Sequence, residues 1–305
     1  MSVTMENSVV VEKLCKSYGS TVAINNITFS VKNGDIFGLI GPDGAGKTTL
    51  FRILTSLLTP DSGKALVCGL DPVVDYKKLR LKIGYMPGRF SLYQDLSVEE
   101  NLNFFATVFG TSLKENYFLI KDIYSQIEPF KDRPAGKLSG GMKQKLALSC
   151  ALVHRPEILF LDEPTTGVDA VSRREFWQML KRLKDYGITI VVSTPYMDEA
   201  SLCDKVALMS QSKLLVEDTV ERINAQYPFP LFAVSGGKMS KIQEVLRKQK
   251  YINSVYRFGQ VLHVSLKPNS GIHELQSGLS SSGFSDAKII PIVAGIEDSF
   301  MMLSE

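Results

Sequence analysis

No apolar run in this chain approaches the roughly 18 residues needed to span a bilayer. The amino terminus, Met-Ser-Val-Thr-Met-Glu-Asn, lacks the basic-then-apolar order of a secretory leader. Cysteine is scarce. Cys15, Cys68, Cys150 and Cys203 show neither C-x-x-C spacing nor dense pairing, which argues against a disulfide framework and predicts buried or free thiols in a reducing cytosol. Neither sign of charge dominates: 35 Lys and Arg against 32 Asp and Glu leave a formal net charge of +3, too little for a polyanion-binding field. Histidine is the rarest polar type that matters below, with three in all, His154, His263 and His273. No internal repeat is present, and Ser280-Ser281-Ser282-Gly283 reads as a loop. With 305 residues there is room for one large domain and a smaller one.

The order of elements is informative. Residues 9 to 40 read as strands: Val9-Val10-Val11 before a turn at Tyr18-Gly19-Ser20, then alternation from Ala23 to Val31, then a hairpin turn at Asn33-Gly34. Ile36–Ile40 is a short apolar run of the kind buried on both faces of a sheet. It feeds Gly41-Pro42-Asp43-Gly44-Ala45-Gly46-Lys47-Thr48-Thr49, which contains the G-x-x-x-x-G-K-[ST] pattern. A helix is predicted from Lys47, with Leu50, Ile53 and Leu54 on one side. Strand, glycine loop and helix in this order make a phosphate site. Backbone N–H groups close around the phosphates, Lys47 reaches the outer ones, and the Thr48 hydroxyl suits Mg²⁺. This much admits kinases, GTPases and many ATPases.

Ser97 to Ile127 turns helical, with Leu102, Phe105 and Phe109 and then Leu119, Ile123 and Ile127 at helical spacing. Leu138-Ser139-Gly140-Gly141-Met142 opens a further helix striped by Met142, Leu146, Cys150 and Val153. These stripes are core rather than ligand surface. About twenty residues after that turn, Glu157–Glu163 is an apolar strand ending in two carboxylates. Asp169 to Tyr186 reads as a helix, and Thr189–Ser193, Val206–Met209 and Leu214–Val216 as strands. Alternation of this kind argues for a mainly parallel sheet covered by helices, with the opening strands as an antiparallel layer.

The glycine loop, the Leu-Ser-Gly-Gly turn and the Asp-Glu strand end, in that order over about residues 9 to 225, resemble the ATP-binding subunit of ABC transporters. The resemblance implies an α/β fold of the P-loop NTPase, ABC ATPase type, binding ATP and Mg²⁺. Tyr18 sits where the family stacks an aromatic on adenine. Asp162 would hold Mg²⁺ with Thr48, and Glu163 would orient and deprotonate the attacking water. Asp43 falls where relatives frequently have Asn, and is tolerated if its carboxylate points away from phosphate. Family members bind ATP between two head-to-tail subunits, so Ser139, Gly140 and Gly141 would touch ATP held by a partner, and Asp169 would bridge the two. Ser139 also suits a plain helix N-cap.

Two positions depart from the family pattern. Gly88 stands at the glutamine position of Ile83–Tyr93, and Pro195 at the switch-histidine position of Val191–Ala200. None of the three histidines is close in sequence to Pro195. Losing one transition-state donor costs about 10²–10³ in rate. Thr194, Tyr196 or Gln94 would be the substitutes, or Glu163 suffices alone. The preferred expectation is an asymmetric pair in which this chain's own site turns over slowly and a second ATPase subunit is a different chain, with Pro195→His raising the rate and Gly88→Gln adding to it.

Tyr227-Pro228-Phe229-Pro230 marks a boundary. Residues 1–226 are assigned to the ATPase domain, with a helical subdomain over about 90–150, and 227–305 to a small α+β accessory domain of βαββαβ order. Its elements include strands at Leu231–Val234, around Leu262–Leu266 and at Lys288–Ile292, and helices around Ile242–Leu246 and Ile272–Leu279. Gly295–Phe300 resembles the Glu-Asp-x-Phe ending of exporter-type ABC ATPases. The resemblance implies an efflux system of the ABC-2 or multidrug type, integral membrane permease partners contacted through residues 89–101, and a place on the cytoplasmic face of the membrane. An importer ATPase with a regulatory C-terminal domain, a soluble non-transport ABC ATPase and a binding module without ATPase activity stay open. No nucleic-acid partner is expected, because the chain lacks a basic stripe.

Overall fold

A computed structural model describes residues 6–304. The chain divides into two compact units, one running to Val220 and the other starting at Glu221. The first opens with an antiparallel ribbon, β1 (Asn7–Tyr18) and β2 (Thr21–Lys32). Val9, Val11 and Leu14 on β1 and Ile24, Ile27, Phe29 and Val31 on β2 face inward. β3 (Ile36–Ile40) is buried at every residue. Asn33-Gly34 is not a hairpin turn. β2 pairs with β1, whereas β3 pairs in parallel with two later strands, so this dipeptide carries the chain from one sheet to another. The local turn preference of Asn-Gly stands, but an apolar run such as Ile36–Ile40 needs cover on both faces, and only the parallel sheet provides it.

α1 (Lys47–Leu54) leaves the glycine loop, and β4 (Ser62–Val67) returns to β1, giving a three-stranded sheet of order β2-β1-β4. α2 (Tyr76–Arg80) and β5 (Ile83–Met86) lead into a helical region made of α3 (Val98–Val108), α4 (Tyr117–Tyr124) and α5 (Gly140–Leu152). α3 starts on a capping box, in which Glu100 N–H donates to Ser97 Oγ and Ser97 N–H to the Glu100 carboxylate. The helical stretch read from residue 97 to 127 is interrupted between α3 and α4, where Gly110 takes φ 68°. β6 (Ile158–Asp162), α6 (Ala170–Asp185), β7 (Thr189–Thr194), β8 (Lys205–Ser210) and β9 (Lys213–Asp218) complete the unit.

The large sheet has the order β5-β6-β7-β3-β8-β9, parallel except for β9 at its edge. Alternate residues of β6 serve two cores. Ile158 and Phe160 face α1 and the antiparallel layer, where Phe29 stacks on Phe37 at 5.4 Å and Phe51 meets Phe160 edge-on at 5.6 Å. Leu159 and Leu161 face the helical side with Leu146, Trp177 and Leu180. The turn leading into β9 is tied to β2 where Ser212 Oγ donates to the Val22 carbonyl at 2.7 Å. This strand order sets the C-terminal ends of β3, β7 and β6 side by side, the edge at which open α/β sheets bind ligands.

α7 (Val220–Ala225) runs across the division between the units. The second unit then follows the order β10 (Leu231–Ser235), α8 (Met239–Arg247), β11 (Ile252–Phe258), β12 (Val261–Leu266), α9 (Ile272–Ser281), β13 (Lys288–Pro291), with α10 (Ile296–Ser304) after it. Its sheet is antiparallel, β11-β12-β10-β13, the split-βαβ arrangement. Leu262, Val264 and Leu266 pack against Ile242 and Leu246 of α8 and Leu275 and Leu279 of α9. The Glu297-Asp298-Ser299-Phe300 ending opens α10: the Asp298 carboxylate accepts from Gly295 N–H at 2.9 Å and lies 2.7 Å from His263 Nδ1 on β12. Among the described residues, no helix is long and apolar enough to cross a membrane.

Candidate functional site

β3 ends at Ile40, and the glycine loop turns from its tip into α1. Gly41 N–H donates to the Thr194 carbonyl at 3.2 Å, which ties the loop to the end of β7. A Cβ on Gly41 would strike the Met209 carbonyl, and one on Gly46, which takes φ 104°, would strike the Ala23 carbonyl. Glycine is needed at both for close backbone approach. Pro42, Asp43 and Gly44 are exposed, Ala45 is buried, and Thr49 is half-buried. Lys47 is only 3% exposed. Its Nζ donates to the carbonyls of Gly41 at 2.7 Å and Pro42 at 3.0 Å, and lies 3.4 Å from Glu163 Oε1.

Asp162 ends β6 and is 2% exposed. Its Oδ1 accepts from Ser193 Oγ at 2.6 Å and from Thr48 Oγ1 at 3.3 Å. Among the described residues it has no ion-pair partner. Burying a carboxylate with neither cation nor full hydrogen bonding is costly. One carboxylate beside a threonine hydroxyl next to a phosphate loop is the donor set that suits Mg²⁺, which takes few protein ligands. The residues present therefore fit that ion. Tyr85, on the neighbouring β5, is pushed up to about 12 by burial and then by the charge of Asp162, so it stays a neutral phenol.

Glu163 follows with φ 49°, in the left-handed region that non-glycine residues seldom occupy. Its N–H donates to both the carbonyl and the Oγ of Ser193, each at 3.0 Å. Its carboxylate lies between Lys47 and the Thr166 hydroxyl, 3.5 Å from Oε2. Farther along, the Thr165 hydroxyl donates to Glu199 Oε1 at 2.8 Å, which stitches the segment after β6 to the segment after β7.

Lys47, Thr48, Asp162 and Glu163 are thus gathered at one sheet edge. Gly88 joins them: a Cβ there would lie 3.0 Å from the Asp162 carbonyl. Pro195 is half-buried directly after β7. Of the three residues named as substitutes for the missing side chains, Thr194 is at the site through its carbonyl. Gln94 instead packs on Gly136, with its Cβ 3.3 Å from where a Cβ on that glycine would stand, and the Tyr196 ring lies under the Arg173 guanidinium, 4.9 Å from its centroid. His154 is engaged elsewhere, with Nε2 2.9 Å from the Ile83 carbonyl.

Ser139, Gly140 and Gly141 form a second group. Ser139 caps α5, its Oγ accepting from Met142 N–H at 3.4 Å, and a Cβ on Gly141 would lie 3.0 Å from Ser172 Oγ. Asp169 caps α6, accepting from the N–H groups of Val171 and Ser172 at 3.0 Å and from the Ser172 hydroxyl at 2.7 Å. Those hydrogen bonds hold its carboxyl below the ordinary range. Tyr18 is 46% exposed at the end of β1, paired with Thr21 on the ribbon whose Ala23 carbonyl abuts Gly46. Ser193 and Glu199 are site residues the motifs did not reveal. The available signal was polarity: Ser193 and Thr194 follow the apolar run Ile190-Val191-Val192 on β7, and both are fully buried.

Residues 24–166 match the family described as ABC transporter. The chain is 35% identical over 252 residues to the Nod factor export ATP-binding protein I of Rhizobium sp. (strain N33), which covers 81% of this chain and 82% of that protein. The chain belongs to the ABC transporter ATP-binding proteins. This ABC protein is also 42% identical over 224 residues to the probable multidrug ABC transporter ATP-binding protein YbhF of Escherichia coli (strain K12); the match covers 72% of the chain but only 39% of that longer relative. Among solved structures it resembles cbiO1 from Clostridium perfringens, described as part of the transporter complex cbiONQ, with 28% identity, a TM-score of 0.65, and coverage of 80% and 96% of the two chains. It also resembles the ATP-binding cassette MJ0796 in a dimeric post-hydrolysis state bound to ADP and Pi, with 25% identity, a TM-score of 0.62 and coverage of 69% and 98%.

Proposed function

We propose that this chain is the ATP-hydrolysing subunit of an ABC exporter and works as one half of an ATP-binding pair beneath a membrane permease. The observation that carries the reading is the convergence of Lys47, Thr48, Asp162 and Glu163 at the ends of β3 and β6. The multidrug and Nod factor export names of its relatives support export as the direction. In this reading the amides of residues 41–49 and the Lys47 ammonium bind the ATP phosphates, and adenine stacks on Tyr18. Asp162 and Thr48 hold Mg²⁺, which neutralises phosphate charge. Glu163, held beside Lys47, accepts the proton of the attacking water.

Ser139, Gly140, Gly141 and Asp169 serve ATP bound by the second subunit. Gly88 and Pro195 leave this chain's own site short of two polar groups, which favours a partner of different sequence that carries them. Residues 89–101 face the permease, on the cytoplasmic side of the membrane. Binding of a fluorescent ATP analogue tests the assignment. Lys47→Ala should weaken affinity about tenfold or more, the scale of a lost charge-assisted hydrogen bond. Unchanged affinity would defeat it.

A further inference from the structure

Ser193 is fully buried at the end of β7, and its register partner across the parallel pair is Asp162. Its hydroxyl is used twice. The proton goes to Asp162 Oδ1 at 2.6 Å, and a lone pair takes the Glu163 N–H at 3.0 Å. One donor and two acceptor sites on a hydroxyl allow both at once. The second contact, shared with the Ser193 carbonyl, which accepts the same N–H at 3.0 Å, acts on a backbone that needs support, because Glu163 is left-handed at φ 49°. The first acts on a buried carboxylate whose other hydroxyl partner, Thr48, is longer at 3.3 Å and is itself placed to ligate metal. Pro195 has no side-chain donor. β7 therefore reaches the site through its last two residues, Thr194 holding Gly41 and Ser193 holding both carboxylate residues.

We propose that Ser193 is a positioning residue for ATP hydrolysis, its single hydroxyl setting both the metal-binding carboxylate of Asp162 and the strained backbone that aims Glu163. It rests on the ATPase reading above. A hydroxyl that merely satisfies a buried strand end would leave metal dependence untouched. A positioning role makes metal affinity and the chemical step sensitive to it while nucleotide affinity without metal is not. Partners of this kind, one step behind a metal ligand, typically change metal affinity or activity by about 10–100-fold.

The test uses the 305-residue chain and a fluorescent ATP analogue titrated with and without Mg²⁺, together with steady-state ATP hydrolysis. Ser193→Ala should keep the metal-free affinity, raise the Mg²⁺ concentration needed for half effect by about 10–100-fold, and lower kcat more than it changes KM. Ser193→Thr, which retains a hydroxyl on a strand-favouring residue, should restore both. Wild-type Mg²⁺ dependence and kcat in Ser193→Ala would overturn the proposal. Equal losses in the Ala and Thr variants would also overturn it, by assigning the effect to packing. Failure of the ATPase reading looks different: wild-type protein that ignores the nucleotide, or Lys47→Ala that binds as well as wild type, removes both.

Discussion

Gly88 stands so close to Asp162 that a Cβ on it would lie 3.0 Å from the Asp162 carbonyl oxygen and 3.8 Å from the Glu163 Cβ. Separation of 3.0 Å from a backbone atom is tighter than ordinary packing, so a side chain here requires the Asp162 backbone to give by a few tenths of an ångström. Pro195, half-buried directly after β7, already carries a Cβ, so its replacement adds none at the backbone. Pro195→His should raise hydrolysis by the isolated protein about tenfold to a hundredfold, the scale of one hydrogen bond to a charged group. Gly88→Gln should contribute less than Pro195→His and lower the melting temperature, because Asp162 must move to admit it. Kinetics on the two single variants and the double variant, with a thermal melt of each, decide the matter. Brisk wild-type turnover without a second subunit would remove the case for a slow site.

Glu163→Gln keeps the shape of the side chain and removes its charge from beside Lys47, 3.4 Å away. ATP binding should persist or tighten, since a negative charge near the phosphates is gone, while turnover falls by at least about a hundredfold with the loss of the base. Parallel binding and hydrolysis assays separate these effects. A modest loss of rate would place proton acceptance elsewhere.

A chain ending at Gln226 retains α7 and both cores of the first unit, and omits the separate core around Ile242, Leu262 and Leu275. It should fold and bind ATP with unchanged affinity. Circular dichroism with analogue titration checks this. Folded truncated protein that no longer binds would make residues 227–305 part of the nucleotide site.

His154 is stacked on Phe109, with ring centroids 3.8 Å apart, and its Nε2 faces the Ile83 carbonyl at 2.9 Å. Burial lowers its pKa from the ordinary 6.5, opposed in part by that hydrogen bond. The folded state therefore resists a proton that the unfolded chain accepts. This contribution to stability is present above about pH 6.5 and is lost as pH falls below it, at no more than about 1.4 kcal/mol per pH unit. His154→Gln, which retains an N–H for the carbonyl, should flatten the fall in denaturant midpoint between pH 6.5 and acid. An identical slope in wild type and variant would assign the acid sensitivity to other groups.

Much of the protein was legible in its residues taken alone. The glycine loop after an apolar strand, the Ser139 turn and the Asp162-Glu163 strand end are local patterns, each contained in a short stretch of residues. The βαββαβ order of the second unit could be read from alternating apolar periods, although β11, whose burial is patchy along Ile252–Phe258, was not. What depends on sheet pairing was not legible. Asn33-Gly34 looked like a hairpin because turn preference is local, while the partner of Ile36–Ile40 is chosen by which surface can cover both its faces. The same holds at the site. Ser193 meets Asp162 and Glu163 only because β6 and β7 pair in one register, and Gly88 meets Asp162 only because β5 lies beside β6. The chain encodes which chemical groups are available. Long-range packing, which no short window of sequence contains, decides which of them touch.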